Sequence, residues 1–159
     1  MMVLILLMVV GKALPPKLRT LTQEIDMPFN WPVMCNNYEA EAFCNWKSTV
    51  LGKKVRMISH PEFLLLTDRS DSNNYNLNFQ CGGSSCPVNK FSEPLGQDGS
   101  PIYDMRGNLW QHSRSLLTVL PEFEVHPLYD DFTLPTIDGA HSFIVGGSWT
   151  SIGNCAEIN

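Results

Sequence analysis

The clearest pattern of apolar and polar positions is helical and runs over Asn36–Leu51. Apolar side chains recur at the spacing of one helix face: Phe43, Trp46 and Val50. Asn36 or Asn37 can cap the start, because an asparagine side chain accepts hydrogen bonds from backbone N–H groups that lack a partner there. Gly52 is placed to end the helix. The pattern predicts a helix over these residues, with the three apolar side chains in the core.

A second, shorter helix is predicted just after this one. Ser59 and Glu62 have the spacing of a capping box, in which each side chain accepts from the other residue's backbone N–H. The apolar run Phe63–Leu66 continues the helix, and Val55–Ile58 before it alternates as a strand does. His60 stands at the helix start with no histidine or carboxylate one turn away, so we interpret it as structural rather than as a metal ligand.

Shorter runs predict β-strands separated by turns. Phe143–Val145 is β-branched and aromatic and stops at a glycine pair, and Leu116–Leu120 is apolar and stops at proline. Tyr75–Phe79 alternates apolar with polar residues, which predicts a strand edge with one buried face. Gly107–Asn108 interrupts another apolar run, and both residues tolerate positive φ, so a turn is predicted there. Short strands with one good helix and one weaker helix indicate the α+β class.

Composition limits the classes of function. The chain has 159 residues, 43% of them hydrophobic and 17% charged, which suits one folded domain with a packed core. The net charge is −5, and the few lysines and arginines are dispersed. Nucleic acid binding is therefore a poor interpretation, because the phosphate backbone favours clusters of basic residues.

Five cysteines leave two interpretations open. An odd number does not make a secreted disulfide framework, and buried free thiols are the simpler interpretation. The alternative is a disulfide between Cys81 and Cys86 in a glycine-rich loop; the same pair could be half of a zinc site, but no second pair completes it. Reduced thiols favour the cytosol, so a cytoplasmic location is predicted.

The first residues, Met1–Val10, form an uninterrupted apolar run. A membrane-spanning helix needs about 20 apolar residues, so no membrane span is predicted. The run is either the apolar part of a signal peptide or a buried strand remaining from a longer parent protein, and we favour the second. We therefore divide the chain into an apolar leader or remnant over 1–17 and one domain over 18–159.

Four longer motifs in order show a family resemblance: WPVMCNNYEAEAFCNWKS, YNLNFQCGGSSCPVN, YDMRGNLWQHS and HPLYDDFTLPTIDGAHSFIVGGSW. The Gly-Asn-Leu-Trp and Gly-Gly-Ser-Trp segments within them resemble the signature of the sulfatase-modifying-factor domain, also called the formylglycine-generating-enzyme-like domain. The longer motifs resemble that domain as it occurs in 5-histidylcysteine sulfoxide synthases, which belong to ovothiol biosynthesis. The resemblance begins near Leu18 and reaches the C-terminus.

The resemblance implies a fold and an activity. The fold would be the C-type-lectin-like variant of the sulfatase-modifying-factor fold, with little regular structure for its size. The activity would be an iron- and oxygen-dependent oxidoreductase reaction that joins cysteine sulfur to the imidazole of histidine and gives a sulfoxide. Fe(II) would be held by histidines of an upstream helical-bundle domain, and a methyltransferase domain would complete the enzyme. Because that family continues past its Gly-Gly-Ser-Trp segment, we expect this chain to be partial and truncated at the C-terminus.

Candidate site residues follow from the last motif. By resemblance, Tyr129 is the candidate for the family's active-site tyrosine, with Tyr103 as its rival. The candidates for substrate binding are His126, Asp130, Asp131 and Trp149. Carboxylates suit the ammonium and imidazole groups of the substrates, but clustered Asp side chains are also common turn formers, and a loop histidine commonly bonds to backbone. His141 and Asp138 in the same loop have the same two interpretations.

The residues alone also permit a different class of function. The four histidines lack the spacing of a metal pair on one helix, so we predict no metal ligands in this chain. The reactive cysteine pair that formylglycine-generating enzymes have after their Gly-Gly-Ser segment is not present, which argues against that activity. The alternative to the sulfoxide synthase is a non-catalytic module on the same scaffold that binds a ligand or a protein.

Overall fold

A computed structural model describes residues 15–67, 75–93 and 101–152 of the chain. The helices are α1 (Asn37–Leu51), α2 (His60–Thr67) and α3 (Asp130–Thr133), followed by a 3-10 turn over Leu134–Thr136. The strands are β1 (Lys17–Arg19), β2 (Glu24–Asp26), β3 (Ser92–Glu93), β4 (Ile102–Tyr103), β5 (Gln111–Leu116) and β6 (Ser142–Val145). The described part therefore mixes helices with short antiparallel strands, as the α+β prediction requires. None of the helices in these ranges is both long and apolar enough to cross a membrane.

The strands pair as antiparallel ribbons. β1 pairs with β2 so that Leu18 lies opposite Ile25. β3 pairs with β4. β5 pairs with β6, with His112 opposite Ile144 and Leu116 opposite Ser142, and the register shifts between these two pairs. Such a shift marks a bulge, which bends the strand and leaves backbone groups for other partners. Arg114 uses one of them, since its N–H donates to the carbonyl of Ile58 at 2.9 Å.

Helix α1 begins and ends where the sequence predicts. The side chain of Asn36 accepts from the backbone N–H of Glu39 at 2.9 Å, and the Glu39 carboxylate accepts from the Asn36 N–H at 2.8 Å. Gly52 ends the helix with φ +61°. The predicted core face is wrong, however. No residue of α1 is buried, and Trp46 is 51% exposed, its ring contacting Phe43 on the helix surface.

Helix α2 confirms the predicted capping box. The Ser59 N–H donates to the Glu62 carboxylate at 2.9 Å, and the Glu62 N–H points back to Ser59 Oγ at 3.4 Å. Arg56 adds an ion pair to the same carboxylate, with Nη1 2.8 Å from Oε2. The His60 ring stacks on Phe143 with centroids 4.5 Å apart, which supports the structural interpretation of this histidine.

Two of the predicted strands are wrong. Val55–Ile58 forms no strand: the Val55 N–H donates to Ser48 Oγ at 2.8 Å and its carbonyl accepts from the same hydroxyl at 3.1 Å. In the segment Leu116–Leu120, only Leu116 lies in β5, and Leu120 is 79% exposed rather than buried. The strand forms earlier along the chain, where β6 supplies its pairing partner.

The predicted strand edge at Tyr75–Phe79 is a turn instead. Asn78 and Phe79 both have positive φ, +52° and +61°, which no strand accommodates. Tyr75 and Asn76 are consecutive and both buried, so burial does not alternate as predicted. The polar Asn76 can be buried because its carbonyl accepts from the Asn108 N–H and its side-chain amide donates to the Ser84 carbonyl.

The chain forms two compact units. The first contains the described residues within Met1–Cys35, Leu64–Trp110 and Gly146–Asn159, and the second contains Asn36–Phe63 and Gln111–Val145. The buried side chains of the first unit include Tyr75, Cys86 and Met105. The predicted domain over 18–159 includes residues of both units. The apolar run Met1–Val10 and Cys155 lie outside the described residues. The interpretation of that run as a leader or remnant, and that of Cys155 as a free thiol, therefore remain predictions.

Candidate functional site

The two tryptophan-containing motifs meet in the first unit. The Gly107 N–H donates to the Gly146 carbonyl at 2.6 Å, and the Trp149 N–H donates to the Asn108 carbonyl at 3.0 Å. Gly107 and Asn108 have φ of +71° and +63°, as predicted for a turn. Segments almost forty residues apart in sequence are thus joined directly by backbone hydrogen bonds.

The side chain of Asn108 is the centre of this junction. It is 1% exposed. Its Oδ1 accepts from the Cys86 N–H at 2.9 Å and from Asn76 Nδ2 at 3.2 Å. Its Nδ2 donates to the Cys86 carbonyl at 3.0 Å and to Asp104 Oδ1 at 3.3 Å. A buried amide that uses both donors and both acceptor positions fixes the loops around it, because each unpaired group would be costly. We call Asn76, Cys86 and Asn108 the asparagine junction.

Trp149, predicted to bind substrate, belongs to this unit and makes packing contacts there. Its ring meets the Phe79 ring edge-on, with centroids 5.5 Å apart, and its carbonyl accepts from the Phe79 N–H at 2.9 Å. Tyr103, the rival candidate tyrosine, also belongs to the first unit, in β4, where its side chain is partly exposed.

The other four predicted site residues lie on one turn of the second unit, which we call the acidic turn: His126, Tyr129, Asp130 and Asp131. The Tyr129 N–H donates to the His126 carbonyl at 2.9 Å, and the two rings lie 5.7 Å apart. Tyr129 then precedes α3, and its carbonyl accepts from the Thr133 N–H at 2.8 Å. All four side chains are exposed, Tyr129 by 61%. A phenol, an imidazole and two carboxylates therefore face solvent side by side.

Local hydrogen bonds use part of these side chains. His126 Nδ1 accepts from the Leu128 N–H at 3.2 Å, which leaves Nε2 as the proton-bearing nitrogen of the neutral ring. Asp130 Oδ1 accepts from the Asp131 N–H at 2.8 Å. These contacts match the backbone-bonded histidine and turn-forming aspartate that the sequence left open. They leave the Tyr129 hydroxyl, the Asp131 carboxylate and one Asp130 oxygen exposed for a ligand.

Asp138 and His141 form a separate pair in the second unit. Asp138 Oδ1 lies 2.9 Å from His141 Nδ1 and accepts from the N–H groups of Ala140 and His141 at 2.8 and 3.0 Å. The contact with the His141 ring, followed by the two backbone donors, holds the pKa of Asp138 well below its usual range. Asp138 therefore stays ionised, and its Oδ1 is occupied in holding the turn.

A metal site is not formed by the part of the chain that the structure describes. Within 15–67, 75–93 and 101–152, no three His, Cys, Asp or Glu side chains come together in an arrangement that could hold an ion. The acidic turn offers two carboxylates and one imidazole, but they are arranged along an exposed turn rather than around a common point. These residues do not fit an iron centre, and we derive no reaction step through one.

Sequence reasoning missed the asparagine junction and a contact between Lys90 and Cys81. The Gly-Asn pair was interpreted as a turn, whereas the Asn108 side chain bonds residues 22 and 32 positions earlier. Lys90 Nζ lies 3.1 Å from Cys81 Sγ. Nothing in the local pattern indicates either contact, because each depends on where distant turns return the chain.

Comparison of the sequence with protein-family models and with curated proteins finds no significant match.

Proposed function

We propose that this chain is the sulfatase-modifying-factor-like domain of a 5-histidylcysteine sulfoxide synthase, with the C-type-lectin-like fold that this implies. The observation that supports it is the junction of the two motifs on which the resemblance rests. Gly107 and Asn108 of one motif bond to Gly146 and Trp149 of the other. The two segments that carry the resemblance are thus in direct contact, which supports the proposal.

The acidic turn is our candidate for the wall of the substrate pocket. Histidine and cysteine, the proposed substrates, both have an ammonium group, and histidine adds an imidazole with an N–H donor. Exposed carboxylates of Asp130 and Asp131 accept such hydrogen bonds, and bonds between ionised partners are about twice as strong as neutral ones. The phenol of Tyr129 supplies a donor and acceptor next to them. His126 contacts Tyr129 and limits where that ring can lie.

The remaining parts of the proposed enzyme lie outside this chain. Fe(II) would be bound by an upstream helical-bundle domain, and a methyltransferase domain would act on the product in the cytoplasm. The oxidative coupling of cysteine sulfur to the histidine ring would be the work of that separate iron-binding domain. The role proposed for this chain is to bind and orient the substrates, with Tyr129 placed to hold or move a proton at its hydroxyl oxygen.

The test combines this chain with an iron-binding helical-bundle domain, fused or in trans, with Fe(II), histidine, cysteine and O2. We expect 5-histidylcysteine sulfoxide in the product mixture by mass spectrometry. Tyr129→Phe should change the ratio of sulfoxide to simply oxidised cysteine, and Asp130→Asn with Asp131→Asn should raise KM for histidine. Tyr38→Phe is the matched control, because Tyr38 is an exposed tyrosine on α1. Equal effects of the two tyrosine variants would contradict the proposed site.

A non-catalytic binding module is the second candidate, and one observation favours it. Large apolar side chains are exposed next to and within α3: Leu128, Phe132 and Leu134. Contiguous exposed apolar groups are typical of protein-binding surfaces. In the experiment above, this function predicts no turnover with any iron domain, whereas the chain alone would still bind a partner, and Phe132→Ser would abolish that binding.

A further inference from the structure

A tight loop in the first unit brings two cysteines and a lysine together. Gly82 and Gly83 have φ of +72° and +70°, a conformation that turns the chain back on itself and suits glycine. Ser84 Oγ donates to the Cys81 carbonyl at 3.3 Å and closes the loop. Cys86 thereby returns toward Cys81, and the Cys81 sulfur is near enough to contribute to the raised pKa of the Cys86 thiol. A following turn, in which the Lys90 N–H donates to the Pro87 carbonyl at 3.1 Å, brings Lys90 back as well.

The two sulfur atoms have different surroundings. Cys81 is half-buried, and Lys90 Nζ lies 3.1 Å from its Sγ, where an ammonium group stabilises a thiolate. The same contact raises the pKa of Lys90, so the lysine keeps its charge. Cys86 is 3% exposed. Burial, followed by the charge of Cys81 and the hydrogen bond with it, raises the pKa of the Cys86 thiol to about 12. Cys81 is thus the more accessible sulfur and has an ammonium group beside it, whereas the Cys86 thiol is shielded from solvent.

We infer that Cys81 and Cys86 form a thiol–disulfide exchange site that reacts with low-molecular-weight disulfides, and that its oxidation stiffens the asparagine junction. This inference is independent of the sulfoxide synthase proposal. It rests on the Gly82–Gly83 turn that Ser84 closes onto Cys81, on the different exposure of the two thiols and on Lys90 Nζ at Cys81 Sγ.

The reaction has two balanced steps. The Cys81 thiolate attacks one sulfur of the small disulfide, whose S–S bond breaks; a mixed disulfide forms at Cys81 and one thiolate leaves. That change removes the negative charge and the hydrogen bond of Cys81, two of the causes that raise the pKa of Cys86. Cys86 then loses its proton to the departing thiolate or to solvent and attacks Cys81 Sγ, and the second small thiol leaves. Two protein thiols are oxidised, and one small disulfide is reduced to two thiols.

The consequence reaches the asparagine junction through the Cys86 backbone. Both its N–H and its carbonyl bond to the Asn108 side chain. A covalent bond from Cys86 to Cys81 restricts the backbone that presents these two groups. Amide exchange at Cys86 and Asn108 is therefore expected to slow on oxidation, since exchange requires this local structure to open.

The test uses the full 159-residue chain, reduced and then exposed to graded ratios of oxidised to reduced glutathione. Free thiols are trapped with iodoacetamide, and peptides are mapped by mass spectrometry. We expect the Cys81–Cys86 disulfide to form at a lower ratio than any modification of Cys35 or Cys44. Cys86→Ala should accumulate glutathione on Cys81. Lys90→Met should slow alkylation of Cys81 several-fold, whereas Lys53→Met, the control at the end of α1, should leave it unchanged.

Three outcomes would overturn the inference: oxidation spread evenly over the cysteines, glutathione accumulating at Cys86 in preference to Cys81, or equal alkylation rates in the two lysine variants. Unchanged amide exchange at Asn108 after complete oxidation would overturn the effect on the junction. Circular dichroism of each variant identifies any that fails to fold. The Lys90→Met comparison still decides the question if Cys86→Ala is one of them, because Lys90 is exposed.

Discussion

At the scale of single residues, Gly107 meets the strictest steric requirement. A Cβ atom added there would lie 2.6 Å from the Asn76 carbonyl oxygen and 3.2 Å from the Leu77 side chain, and φ is +71°. Gly107→Ala is expected to cost about 1–2 kcal/mol from the left-handed backbone alone. The clash with a backbone oxygen adds to this, because the asparagine junction must shift to relieve it. Denaturant unfolding monitored by tryptophan fluorescence measures the total.

Gly139→Ala is the matched control for this prediction. Gly139 has almost the same φ, +73°, but an added Cβ would meet no atom within 4 Å. Its substitution isolates the backbone strain, so the difference between the two variants measures the clash. If the variants lose equal stability, the close packing of Gly107 against Asn76 is wrong.

The Gly107–Asn108 turn shows which features of a single residue can be predicted from the sequence. A turn was predicted there because both residues tolerate positive φ, and both do have positive φ. The contacts of Asn108 with Cys86 and Asn76 were not predicted, because they depend on two other loops. The same holds for the acidic turn. Its residue types suggested ligand binding or turn formation, and the structure adds the turn-forming bonds of His126 and Asp130.

At the scale of elements, the start of α1 offers a direct measurement of capping. Asn36→Ala removes the acceptor for the Glu39 N–H and is expected to lower the free energy of unfolding by about 1 kcal/mol. Asn45→Ala, within the same helix, is the control. Alanine has the higher helix propensity, so this variant should be neutral or slightly stabilising. Thermal unfolding by circular dichroism compares them, and a cost at Asn45 equal to that at Asn36 would argue against the cap.

Some elements are determined by residues within one turn of the chain, and others are determined by the strands or loops that pair with them. The asparagine cap of α1, the capping box of α2 and the Gly52 terminus were predicted correctly, since each needs only residues within one turn. The strands predicted at Val55–Ile58 and over Leu116–Leu120 were wrong, because a strand exists only where another strand accepts its backbone bonds. Ser48 takes the bonds of Val55 instead. The exposure of Trp46 likewise depends on which elements pack against α1. Helical periodicity identifies an apolar face but does not specify what covers it.

At the scale of the whole molecule, the class was predictable and the division into units was not. Short apolar runs, two helices and many turns indicated α+β, and the described part agrees. Each unit, however, is assembled from segments far apart in sequence: α1 and β5 belong to the second unit, and the asparagine junction with Trp149 to the first. Composition and local periodicity have the same character in both units, so no boundary is visible along the chain.

The stability of the whole molecule in acid depends on two carboxylates with lowered pKa values, those of Glu62 and Asp138. The hydrogen bond from Arg56, and then those from the Ser59 backbone and hydroxyl, hold the pKa of Glu62 well below its usual range. The His141 contact lowers the pKa of Asp138 in the same way. In the unfolded chain both groups titrate near pH 4. Their stabilisation is therefore fully present above that pH and is lost as the pH falls through the lower folded pKa values, because the unfolded state binds more protons there.

We accordingly expect the free energy of unfolding to fall steadily as the pH is lowered from about 5 to about 2. Glu62→Gln should flatten this slope, since glutamine cannot take up the proton, and should lower stability at neutral pH by breaking the ion pair with Arg56. Glu124→Gln removes an exposed carboxylate from the same unit and is the matched control. Urea unfolding at a series of pH values gives the slopes. A Glu62→Gln slope as steep as that of Glu124→Gln would show that Glu62 binds its proton equally in the folded and unfolded states, and its contacts with Arg56 and Ser59 would then contribute nothing to the pH dependence.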